Sequence, residues 1–233
     1  MKILCVSDQI DPLVYSSSIK ERFGDVDLVL SAGDLPMDYL EFIVSSLNKP
    51  LLFVFGNHNL EEYAYYTGEK DISNYDFTQG GYSSGAIYVN SRIHREEGLI
   101  IMGLGGSMKY NNGKNQFSNI EMFWRIIIKI PILLFNRIFR GRYLDILLTH
   151  AAPEGIHDRK DPCHRGFRAF LWFMRTFKPG YLVHGHIHLY DLSEVRVTRY
   201  CQTTVLNAFG HHVIDTEIDP HYKEPQQHGR KHG

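Results

Sequence analysis

The segment Val183-His184-Gly185-His186-Ile187-His188 sets two imidazoles, His186 and His188, two residues apart after a glycine and an apolar run. Alternate residues of an extended backbone share a side. The pair therefore suits two neighbouring metal ions, or one ion and the group it acts on. Four further apolar runs end in residues of the same kind: 3–6 leads to Asp8, 27–31 to Gly33-Asp34, 51–55 to Gly56-Asn57-His58, and 144–149 to His150. Carboxylate, amide and imidazole donors without a thiolate fit borderline or hard divalent ions such as Mn²⁺, Fe²⁺ or Zn²⁺. Two such ions about 3.5 Å apart, bridged by one carboxylate, neutralise a phosphate, acidify a bridging water into a nucleophile and stabilise the leaving oxygen. An imidazole beside the ions, not itself a ligand, can stabilise equatorial oxygens or protonate the leaving group.

The elements that must position these groups are legible as punctuation. Apolar runs that each end in polar residues describe buried strands of an open α/β sheet, whose ligands sit at the carboxyl ends. Helices are expected over 15–23, closed by Gly24, over 36–47, and over 165–177, stopped by Lys178-Pro179-Gly180. No Gly-x-Gly-x-x-Gly follows the first strand, which disfavours a dinucleotide site. From Asp71 the texture changes. Gly80, Gly81 and Gly85 punctuate short runs at 86–89, 92–94 and 99–103 that read as antiparallel strands. The loop Gly103-Leu104-Gly105-Gly106-Ser107 reads as close backbone approach rather than a phosphate cradle. Runs at 194–198, 203–206 and 212–214 complete a second set of strands.

Residues 119–140 form one apolar helix, kinked near its middle by Pro131. Arg125, Lys129, Asn136 and Arg140 fall within roughly 60° of one another at about 100° per residue, which reads as a thin solvent stripe on a helix packed against the sheet. The alternatives are a lid beside the site, a dimer contact or a helix lying in a membrane interface. Charge interrupts it too often for a bilayer span. Uncovered, its apolar runs would make a patch that something must bury.

Bulk properties bound the rest. A chain of 233 residues fits one large α/β domain, here residues 1–218 with the helix at 119–141 as an insertion, followed by a polar tail over 219–233 expected to be disordered. A net charge of −1 supplies no global field for nucleic acid or an acidic membrane, so either partner would need a local patch. Three scattered cysteines make neither a disulfide framework nor a thiolate zinc site and fit a reducing compartment. The opening residues show no export signal, so a cytoplasmic location is expected. His184 reads as core, His211-His212 as surface, and the histidines of the tail carry no role.

In order and spacing, Asp8, Gly33-Asp34, Gly56-Asn57-His58, His150 and Gly185-His186-Ile187-His188 resemble the calcineurin-like metallophosphoesterase family, over roughly residues 1–215. The resemblance implies a four-layer α/β/β/α sandwich with two mixed sheets between helices, and two divalent metal ions. By it, Asp8, Asp34 and His188 hold the first ion. Asp34, Asn57, His150 and His186 hold the second, with Asp34 bridging, and His58 is the catalytic histidine that binds neither. The implied activity is phosphoester hydrolysis of a small phosphorylated substrate, with phosphodiesters favoured, by in-line attack of the metal-bridging hydroxide with His58 assisting. His157-Asp158 and Cys163-His164-Arg165 lie where the family often places substrate contacts, and Arg165 is a candidate phosphate clamp, the alternative being a surface arginine at a helix N-terminus. The family's first motif is Asp-x-His, whereas this chain has Asp8-Gln9-Ile10, which leaves Gln9, Asp11 or a water to fill the first site. Asn59 stands where an acidic residue is usual. Relatives with a broken first motif include phosphodiesterases and scaffolds, so the competing expectation is a catalytically weak or inactive protein-interaction scaffold.

Overall fold

The computed structural model describes residues 1–68, 85–191 and 193–216. Gly80, Gly81 and the tail over 219–233 lie outside the described residues. Strand β1 (Lys2–Ser7) shows how the layers arise. Its alternate side chains Ile3 and Cys5 enter one core while Leu4 and Val6 enter another. This is the period-two pattern of a strand covered on both faces.

The first sheet contains β1, β2 (Leu28–Ser31), β3 (Leu51–Phe53), β4 (Ile87–Tyr88) and β13 (Gly210–Asp215), in the order β13-β1-β2-β3-β4. Its strands are parallel except β13, which runs antiparallel beside β1 from Lys2↔Asp215 to Ser7↔Gly210. The second sheet contains β5 (Ile93–Glu96), β6 (Leu99–Leu104), β9 (Ile146–Thr149), β10 (Tyr181–His184), β11 (Val197–Tyr200) and β12 (Thr203–Asn207), in the order β11-β12-β10-β9-β6-β5. Strands β6, β9, β10 and β12 run parallel, with antiparallel edges at β5 and β11. Residues from both sheets, among them Ile3, Leu30, Val54, Ile101, Leu148 and Val183, share the buried layer between them.

Helices α1 (Ile19–Phe23) and α2 (Met37–Leu47) cover the outer face of the first sheet. Helices α4 (Asn119–Ile127), α5 (Ile130–Arg140) and α6 (Arg168–Phe177) cover the second. The result is the expected four-layer α/β/β/α sandwich with two mixed sheets. Short helix α3 (Tyr63–Thr67) follows β3, and a ribbon of β7 (Ser107–Met108) and β8 (Gln116–Phe117) precedes α4.

Several expectations need correction. The run at 86–89 is not antiparallel: β4 pairs parallel with β3, because the chain reaches it after a long crossover. Residues 119–140 are two helices rather than one kinked helix. Lys129 N–H bonds back to Ile126 O at 2.9 Å in a tight turn, and Pro131 then sits in the first turn of α5, where its missing N–H costs nothing. The polar stripe is a solvent stripe only in part, since Arg140 is exposed and Lys129 partly so. Arg125 and Asn136 face inward, while Ile120, Trp124, Ile128, Ile132, Leu134, Phe135, Ile138 and Phe139 are exposed. His211 and His212 are half-buried rather than surface residues, since they lie on β13, with His211 Nδ1 2.7 Å from Asp11 Oδ2.

Candidate metal centre

Five strand ends deliver the side chains. Asp8 follows β1, Asp34 follows β2, Asn57 and His58 follow β3, His150 follows β9, and His186 and His188 follow β10. The first three strands belong to one sheet and the last two to the other, so the site lies across the common carboxyl edge of both. The turns are tight. Asp8, Asp34 and His186 have φ of 63°, 57° and 66°, a left-handed conformation that costs non-glycine residues about 1–2 kcal/mol each. A side chain at Gly56 would collide with Asp34 Oδ1 and His150 Cε1, and one at Gly185 with Ser7 Oγ and Asp8 Oδ2. These glycines are required by close approach.

At the centre, His150 Nε2 lies 3.1 Å from His186 Nδ1, 3.2 Å from Asn57 Oδ1 and 3.3 Å from Asp34 Oδ2. The protonation pattern follows from what lies behind each ring. His150 Nδ1 is 2.8 Å from Ala32 O and His186 Nε2 is 2.6 Å from Cys163 O. A carbonyl oxygen only accepts, so both of those nitrogens carry the hydrogen. When both rings are neutral they present lone pairs to each other, and the carboxylate and the amide oxygen add two more acceptors to the same small space. Such a space calls for a cation. Backbone carbonyls that fix the tautomer from behind are a usual support for metal-binding histidines. The donor set thus fits a divalent ion: Asp34, Asn57, His150 and His186 would hold it.

The ionisation tendencies agree. Burial opposes a charge on His150, but the Asp34 and Asp8 carboxylates outweigh it and raise the imidazole to about 9. Burial likewise works against charge on Asp34, yet His150 and the backbone N–H of His58, 2.8 Å from Oδ1, hold its carboxyl at about 2. Burial first, and then the neighbouring His150, push His186 down to about 3. The pocket accepts one positive charge and refuses a second proton.

The second expected position is less complete. Asp8 accepts the backbone N–H of His186 at 3.0 and 2.9 Å and also the Ser7 hydroxyl. Burial and the Asp34 charge raise its pKa, partly offset by His150. His188 Nε2 stands 3.8 Å from Asp8 Oδ1, while its ring packs on Phe209 and its Nδ1 meets Tyr190 OH at 2.8 Å. Asp11 does not supply the missing ligand: its carboxylate is taken up by His211 and by the backbone N–H of Leu13. Ile10 is 43% exposed. His58 is exposed at the mouth, tied to the centre through its backbone. Arg165 is also exposed and lines a surface pocket with Asp158, Arg159 and Lys160, a pocket that none of the four donors lines.

Several supporting residues escaped sequence reasoning. Asn115 Nδ2 donates to Phe55 O at 3.1 Å and to Gly56 O at 2.6 Å, pinning the turn that presents Asn57. Asn57 Nδ2 donates to Tyr110 OH at 3.3 Å, which leaves Oδ1 facing the cluster. Asn59 donates to Asp34 O at 2.9 Å, a bond an ionised acidic residue could not make. The glycine-rich loop packs as expected: Gly106 N–H reaches Phe55 O at 2.9 Å, and a Cβ at Gly105 would strike the same carbonyl.

The fold has counterparts of known structure. One solved structure superposes with a TM-score of 0.60 at 14% identity, covering 93% of this chain and 95% of the other. The protein TT1561 of Thermus thermophilus superposes at 0.59 and 12% identity, covering 89% and 88%. These likenesses speak to the fold alone. No curated protein sequence matches the chain. The family model described as calcineurin-like phosphoesterase matches residues 1–190, most of the sequence and every strand end described above. The chain belongs to the calcineurin-like phosphoesterase family.

Proposed function

We propose that the chain is a dinuclear metal-dependent phosphoesterase acting on phosphodiesters of small molecules, with residues 1–218 as the catalytic unit. The observation that carries this reading is the four-donor cluster of Asp34, Asn57, His150 and His186, with a backbone carbonyl holding the far nitrogen of each imidazole. A bound ion pair would supply charge neutralisation of the phosphate and activation of water for in-line attack.

The chain's own groups supply the rest. Asp34 would be shared between the two positions, a role supported by its place in the four-donor cluster and by the effect of its charge on Asp8. Asp8 and His188 would contribute to the weaker first position, whose third protein ligand is replaced by Ile10. His58 stands exposed at the mouth, where its imidazole can meet a substrate oxygen and move a proton to the leaving group. A net charge of −1 favours a small substrate over a long polyanion.

The test uses purified full-length protein loaded with Mn²⁺ and bis-p-nitrophenyl phosphate. Turnover is expected, with about two metals per chain by elemental analysis. His58→Ala should lose about 100-fold or more in kcat while keeping its metal. Full turnover in that variant would refute the role of His58. A protein that binds no metal and turns nothing over would instead be the scaffold form of this fold, for which the absent histidine at Ile10 is the motivation.

A further inference from the structure

Helices α4 and α5 turn their polarity outside in. Arg125 bonds inward to Asn90 Oδ1 at 2.7 Å, Ser91 Oγ at 2.8 Å and Gly105 O at 3.3 Å, and its guanidinium lies 4.1 Å over the Phe117 ring. Asn136 is fully buried, donating to Tyr143 O at 3.2 Å and accepting from Arg95 at 3.0 Å. The outward side is apolar: Ile120 is 71% exposed, Trp124 62%, Ile138 74% and Phe139 66%. In α5 the exposed apolar residues 132, 134, 135, 138 and 139 span an arc of about 160° at 100° per residue. Large exposed apolar side chains on both helices mark an interaction surface.

The charge of the segment chooses the partner. Lys129 and Arg140, at the two ends of α5, and Arg137, about 60° beyond the edge of the apolar arc at Leu134, are at least partly exposed, and no ion pair among the described residues engages them, although Arg137 donates to Gly141 O and lies over the Tyr143 ring. The one acid of the segment, Glu121, is occupied at the helix start, where its carboxylate accepts Ser118 N–H at 2.6 Å. A two-fold contact with a second copy would bring like charges together, with the segment's one acid already engaged, because an isologous interface pairs a patch with the same patch. An anionic partner with a deformable apolar interior satisfies both features. We propose that α4 and α5 dock the protein onto the surface of an anionic lipid bilayer, with Trp124, Phe135, Ile138 and Phe139 entering the headgroup boundary and the cations meeting lipid phosphates. The attachment is peripheral, since no helix among the described residues is long and apolar enough to cross a membrane.

The full chain is mixed with vesicles of phosphatidylcholine alone or of phosphatidylcholine with phosphatidylglycerol, and floated through a density gradient. Each cation near an anionic leaflet strengthens partitioning roughly fivefold, so the expected preference for the anionic vesicles is at least about tenfold, shrinking in high salt. The double variant Ile138→Ser/Phe139→Ser should abolish flotation while keeping the wild-type melting midpoint, because both side chains are exposed in the free protein. Wild-type protein that stays at the bottom with both vesicles overturns the proposal, as does a double variant that floats equally well. Light scattering supplies the third arm: a wild-type dimer that the double variant converts to monomer, with no flotation, assigns the face to self-association instead.

Discussion

Asp8, Asp34 and His186 each leave a strand and turn at once into left-handed backbone, and each is flanked by a glycine or a small residue that lets another chain segment pass close. Strain of this kind persists where the surroundings over-determine the conformation. Here the surroundings include the His58 N–H held by Asp34 and the His186 N–H held by Asp8, a bond between residues 178 apart in sequence. Gly56 is the point of this kind that lies against two of the four donors. One methyl group there must displace either the Asp34 carboxylate or the His150 ring. Gly56→Ala is therefore expected to cost about 1–3 kcal/mol of stability, the usual penalty for overpacking, and to disturb two of the four donors. Elemental analysis of the folded variant should show its metal content falling well below wild type; an unchanged content would mean that the cluster is not where metal binds.

At the scale of elements, the loop between β9 and α6 is tied to β10 by a chain of hydrogen bonds with one direction. His184 Nδ1 is 2.9 Å from Gly185 O and so donates to it, which leaves His184 Nε2 to accept from His157 Nδ1 at 2.9 Å. His157 Nε2 then accepts from Thr198 on β11 at 2.8 Å. This order holds only while both rings are neutral. Burial pushes His157 down to about 4 from its ordinary 6.5. Below 6.5 the unfolded chain takes up a proton that the folded ring refuses. The contribution is therefore fully present above pH 6.5 and is lost as pH falls toward 4, by at most ~1.4 kcal/mol per pH unit. The melting midpoint of metal-free protein should drop between pH 7 and pH 5, and His157→Gln, whose amide can both donate and accept but cannot titrate, should show a shallower drop. Identical slopes would remove His157 from the explanation. What the sequence allowed at this scale was uneven. Strands ending in Asp34, Asn57 or His150 were readable because an apolar run followed by a glycine or a polar tip is a local signal. Asn115 and Tyr110 were not, since nothing near them in the chain marks them as partners of Phe55, Gly56 and Asn57. Residues 119–140 misled for a physical reason: periodicity locates the polar stripe of a helix but not which side faces water, and here Arg125 and Asn136 satisfy backbone carbonyls inside the protein.

Over the whole molecule, the donors are divided between the layers. Asp34 and Asn57 come from the first sheet, His150 and His186 from the second, and the apolar layer between the sheets ends at this edge. A cation bound by all four would therefore act as a clamp between two halves of the sandwich, and binding that requires both halves in place adds to the free energy of unfolding. At a free Mn²⁺ concentration about 100 times the dissociation constant the gain is about 2.7 kcal/mol, which for a chain of this length raises the melting midpoint by roughly 5–10 °C. Calorimetry with added Mn²⁺ and then with excess chelator should show the rise and its reversal. Asp34→Asn should abolish the rise, because an amide in place of the carboxylate removes the charge that draws the ion in. The variant should also melt no lower than metal-free wild type by more than the loss of its contacts with His150 and the His58 N–H would explain. A midpoint that Mn²⁺ leaves unmoved, in protein that still melts cooperatively, would mean that the two sheets meet at this edge without a cation between them.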